Sequence, residues 1–67
     1  MNNKMDIYAL VELLSNGIQD MYDNKNSLTI LDKDYNSIIV DKNEMTVYCY
    51  GNTIKTNEEE IELLLNC

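Results

Sequence analysis

"SLTILDKDYNSIIVDKNEMTVYCY", residues 27–50, decides how this chain folds. Three runs within it, Ser27–Leu31, Ser37–Asp41 and Glu44–Tyr50, are rich in β-branched and aromatic residues, which suit extended, pleated backbone. The clusters "DKDYN" and "DKNE" separate them, and their Asp and Asn side chains can hydrogen-bond nearby backbone in tight turns. The alternation of run and turn predicts an antiparallel three-stranded meander. Gly51–Asn52 offers a further turn, after which Thr53–Lys55 can pair as a short fourth strand.

Helical periodicity flanks the meander on both sides. In "MDIYALVELLSNGIQDMYDNKN", Ile7, Leu10, Val11, Leu14, Ile18, Met21 and Tyr22 recur at intervals of mostly three and four, forming one face of a helix near residues 5–23. Asn3 and Asp6 are candidate N-caps. Gly17 is the weak point, readable as a local break or as a left-handed residue that ends the helix; the continuing stripe favours one broken helix. "TNEEEIELLLNC", residues 56–67, predicts a second helix near 57–66. Thr56 and Glu59 match a capping box, and Glu58, Glu59 and Glu60 would sit in the first turn, where the helix dipole favours negative charge. Glu62 falls outside that explanation. The expected fold is a single small α+β domain over residues 1–67: N-terminal helix, antiparallel β-meander, C-terminal helix.

Composition narrows the function. The 67 residues include five lysines, twelve acids and no histidine, for a net charge of −7. Arginine is absent, so the guanidinium forks and basic stripes that read phosphate are missing, which argues against direct binding of nucleic acid or of anionic membrane. The N-terminal stretch has no long apolar run, so neither a signal peptide nor a spanning helix is expected, and a cytoplasmic protein is. Asn occurs ten times and Ile seven, with no Pro or Arg and one Ala, a pattern of AT-rich codons suited to a low-GC bacterium or its phage.

No catalytic constellation is visible. Without histidine the usual general base is missing, and Ser15, Ser27 and Ser37 have no triad partners. Cys49 and Cys67 lack neighbours that would activate a thiolate, and two thiols alone make a poor zinc site. Asp32, Asp34 and Asn36 resemble the opening of an EF-hand loop, but Ser37 stands where that loop needs Gly and Asn43 where it needs Glu, so a turn is the better reading. The expectation is therefore a non-enzyme with no metal and no cofactor.

Two surfaces remain as candidates for a partner. The first is acidic: residues 56–67 carry −4 of the net charge, and Glu58, Glu59, Glu60 and Glu62 are joined by Asp32, Asp34, Asp41 and Glu44 from the turns. Such a surface steers association toward a basic protein. The second is aromatic: alternation along the third run puts Tyr48 and Tyr50 on one sheet face and Met45, Val47 and Cys49 on the other. If both helices pack on one face, Ile39, Tyr48 and Tyr50 stay exposed; one helix on each face would cover them.

In size, acidity, tyrosine content and helix–meander–helix order, the whole chain resembles small phage-encoded inhibitors of host nucleic-acid enzymes, of the anti-CRISPR type. That resemblance implies occlusion: acidic side chains occupy a basic site, such as that of a CRISPR effector, which would otherwise hold DNA or RNA. It transfers no individual residue. The competing expectations are a homodimeric assembly module joined through the tyrosine face, and an accessory subunit of a larger complex.

Overall fold

A computed structural model describes residues 5–67. The chain runs α1 (Ile7–Leu14), β1 (Ile18–Asp23), β2 (Ser27–Asp32), β3 (Ser37–Asp41), β4 (Thr46–Cys49), β5 (Asn52–Lys55) and α2 (Glu58–Leu65). The five strands form one antiparallel sheet in sequential order β1-β2-β3-β4-β5. The α+β architecture matches the sequence reading, with more strands than the three or four it foresaw.

The extra strand is β1, which replaces the second half of the expected 5–23 helix. Asp6 starts α1 by accepting the Ala9 N–H at 2.8 Å. The helix stops after Leu14, whose carbonyl accepts the Gly17 N–H, and Gly17 turns the chain at φ +128°, a conformation that L side chains rarely adopt. Gly17 therefore ends the helix rather than bending it. The helical spacing of Ile18 and Met21 has another origin. A β-bulge lies between Ile18 and Asp20, so Ile18 pairs with Asp32 and Met21 with Ile30. The inserted residue, Gln19, turns the strand's period of two into a spacing of three, which imitates a helix. The other candidate cap, Asn3, lies outside the described residues.

Both helices lie on the same side of the sheet. Ile7, Leu10 and Leu14 of α1 and Ile61 and Leu64 of α2 share one core with Leu28, Ile30, Ile38, Val40, Val47 and Cys49. In β2, β3 and β4 buried residues alternate with less buried ones, as expected of a sheet covered on one face. The arrangement with a helix on each face is therefore excluded.

The turns follow their local chemistry. Asp32 Oδ1 accepts the N–H groups of Asp34 and Asn36, both at 2.8 Å, and Asp41 Oδ1 accepts those of Asn43 and Glu44. Each aspartate thus closes the hairpin it opens. The last hairpin turns at Tyr50–Gly51, one residue earlier than the expected Gly51–Asn52, with φ of 50° and 79°. Asn57, not Thr56, caps α2: its Oδ1 accepts the Glu60 N–H at 2.9 Å. Thr56 Oγ1 instead donates to Glu60 Oε1 at 3.0 Å. The cap lies one residue further along because Asn57 is the last residue with extended backbone before the helix.

Candidate functional site

The acids expected to form one surface are distributed over two ends of the sheet. Asp34 lies in the β2–β3 turn, and Asp41 and Glu44 lie at the β3–β4 turn, with the whole of β3 between them. Five residues of strand separate the two ends by about 14 Å or more. Asp32 faces the core side, is 7% exposed, and is saturated by its own chain: besides the two turn amides it accepts Asn36 Nδ2 at 3.1 Å and the Tyr50 hydroxyl at 2.5 Å. The Tyr50 hydrogen bond, reinforced by the turn amides against the opposing effect of burial, holds the Asp32 carboxyl at about 2. It is a structural anion whose carboxylate oxygens are taken up by its own chain, unlike the exposed acids of α2.

At the other end the acids do converge. The Thr56 N–H donates to the Met45 carbonyl at 2.9 Å, which brings the start of α2 against the β3–β4 turn. Glu58 and Glu62, one helical turn apart, line an open groove of about 440 Å³ there. Its apolar floor is Met45, Ile61 and Leu65, and its opposite rim is Lys25, Asn26, Lys42 and Asn43. Lys42 is engaged by Asp23 and by the Asn24 carbonyl, and among the described residues this is the one ion pair. Glu58, Glu59 and Glu62 are exposed, whereas Glu60 is half-buried and held by Thr56. Asp41 is half-buried and faces its own turn, and Glu44 is exposed beside it.

The two tyrosines expected on one face are separated. Tyr48 projects from the face opposite the helices and is 52% exposed. Tyr50 lies beyond the end of β4, and its left-handed backbone carries the ring to the core side, onto Asp32. Partial burial, followed by the hydrogen bond to Asp32, raises its phenol above the usual tyrosine range. Tyr22, which the helical reading had hidden, joins Ile39 and Tyr48 on the open face. Cys49 is buried with its sulfur 3.7 Å from that of Met5, and burial pushes both Cys49 and Cys67 up, away from thiolate character.

No family model matches the chain, and no curated protein or solved structure matches it either. No helix among the described residues is long and apolar enough to cross a membrane.

Proposed function

We propose that this chain is a small protein-binding inhibitor or regulator that docks, through the groove beside α2, on the basic surface of a nucleic-acid-handling protein. The observation that carries this is the pairing of Glu58 and Glu62 above an apolar floor of Met45, Ile61 and Leu65. A lysine or arginine fits such a groove along its whole length: the aliphatic stem lies on the floor and the charged head meets the carboxylates. Glu59 and Glu44 extend the negative surface outward. A partner site that receives these acids loses its access to phosphate, so binding and inhibition are the same event. The acids involved are Glu58, Glu59, Glu62 and Glu44; Asp34 lies at the far end and Asp32 is withdrawn.

The test is a paired capture from lysate of a low-GC bacterium, with the wild-type chain and the Glu58→Lys/Glu62→Lys variant as baits. Supporting proteins are retained by the wild type only, are eluted by salt, and release bound nucleic acid when the chain is added. Identical retention by both baits in high salt refutes the acidic groove as the docking site.

A further inference from the structure

A single row of side chains crosses the open face of the sheet on all five strands. The register pairs Tyr22 with Thr29, Thr29 with Ile39, Ile39 with Tyr48, and Tyr48 with Thr53. None of the five is charged, in a chain in which charged residues make up 25%. Tyr22, Ile39 and Tyr48 are 50%, 43% and 52% exposed, because both helices pack on the opposite face.

We infer that this face is covered by a second copy of the same chain, packed sheet on sheet about a two-fold axis that runs along β3. The order of the row dictates the axis. Rotation about β3 carries β1 over β5 and β2 over β4. Tyr22 then faces Thr53 of the second copy, Tyr48 faces its Thr29, and Ile39 meets Ile39. Every ring stands over a small side chain, and the same patch serves both copies, as an isologous interface requires. A two-fold axis across the strands would instead lay each strand on its own image, stacking tyrosine on tyrosine and leaving gaps between threonines.

Charge selects the same face. Two copies each at −7 approach most readily where acids are few, and the central row is uncharged, as interface centres are depleted of charge. The open face carries Asp20, Asp41 and Lys55 away from the row. Asp20 Oδ2 accepts the Tyr22 hydroxyl at 2.6 Å, and Asp41 accepts its own turn amides. Asp41 lies on the axis strand and meets its own image near the rim, with Lys55 two strands away in the same row; because each copy carries −7 overall, added salt strengthens this contact. Salt has the opposite effect on the basic docking proposed above, which uses a different surface. Five strands spaced about 4.8 Å apart give a flat footprint of about 400 Å² per copy. A standard interface buries about 800 Å² per partner, so association belongs at high-micromolar rather than nanomolar concentrations.

Sedimentation equilibrium of the reduced, intact chain tests this. The mass should rise from 7.8 kDa toward twice that value as concentration increases from about 10 μM to 1 mM, and further as salt is added. Ile39→Lys sets like charges on the axis and should leave a monomer. Tyr48→Thr should weaken association about tenfold, and the exchange Thr29→Tyr/Tyr48→Thr should restore it, because each ring again faces a threonine. These positions are outside the core, and circular dichroism checks that each variant is folded; if Ile39→Lys is not, the exchange pair decides. A mass fixed at 7.8 kDa throughout overturns the dimer. Unchanged dimerisation of folded Ile39→Lys, or no recovery in the exchange variant, overturns the face or its axis.

Discussion

The Tyr50 hydroxyl donates a 2.5 Å hydrogen bond to Oδ2 of Asp32 and so ties the β4–β5 turn to the β2–β3 turn. Tyr50 and Gly51 both have positive φ, the geometry of the two-residue turns that suit twisted hairpins, where Asn, Asp or Gly usually stands at the first position. Left-handed backbone costs a side-chain-bearing residue about 1–2 kcal/mol. A hydrogen bond to a charged acceptor contributes about 1.5–3 kcal/mol, enough to offset the strain. The same backbone twist that makes Tyr50 costly is what aims its ring at Asp32.

Replacing Tyr50 with Phe should therefore destabilise the fold at neutral pH, and the effect should depend on pH with a definite sign. Asp32 is held at about 2, below its ordinary 3.8, so its contribution is present above about pH 4 and is lost as pH falls toward 2. Wild type and Tyr50→Phe should converge in urea unfolding as pH falls through that window. Tyr50 is raised, so its contribution is full below about pH 10 and declines as pH rises above it; Tyr50→Phe lacks this alkaline limb. A stability difference that stays constant from neutral pH down to pH 2 would show that the hydrogen bond does not govern Asp32.

The cap of α2 gives an ordered pair. Asn57→Ala removes the acceptor for the Glu60 N–H and should cost about 1 kcal/mol, or about 4–8 °C in Tm. Thr56→Ala removes only a side-chain contact to Glu60 and should cost less. Thermal melts of the two variants side by side decide it, and the reverse order contradicts the cap.

Gly17→Ala isolates backbone strain from packing. A Cβ there would meet nothing within 4 Å, yet φ is +128°. The substitution should cost about 1–3 kcal/mol through strain alone. Denaturant unfolding that shows no loss would mean that the α1–β1 junction adjusts freely.

For the binding partner, Glu62→Lys should weaken association while leaving the cap intact, and both it and the wild-type affinity should respond to salt. Screening shortens the reach of charge from about 10 Å at 0.1 M to about 3 Å at 1 M. Titration calorimetry at the two salt concentrations reads this directly. Affinity indifferent to Glu62→Lys and to salt would transfer the interface to the open sheet face.

The meander and both helix starts were legible because their signals are local: β-branched runs, Asp-Lys turns and a row of glutamates. The strand at Ile18–Asp23 was not, because the bulge at Gln19 gives its core-facing residues helical spacing. The acidic end of α2 could be read from charge alone, but its groove could not, since Met45, Lys25 and Lys42 come from two separate turns. Asp32 reads as a turn acid because the run is taken to end at Leu31, whereas β2 continues one residue and puts Asp32 on the face of Leu28 and Ile30. Tyr50 is misplaced for a different reason. A left-handed residue after β4 breaks the alternation of faces, and no periodicity argument sees a change in the sign of φ.

The sequential strand order also governs how quickly the chain reaches its native state. Every strand pairs with its neighbour in sequence across a short turn, so each hairpin can close without waiting for a distant segment. The steps with large loops to close are the return of the N-terminal segment over the sheet, where Met5 meets Cys49, and the meeting of α1 with α2. With no proline in the sequence, no slow peptide-bond isomerisation intervenes, and refolding should proceed as a single fast phase.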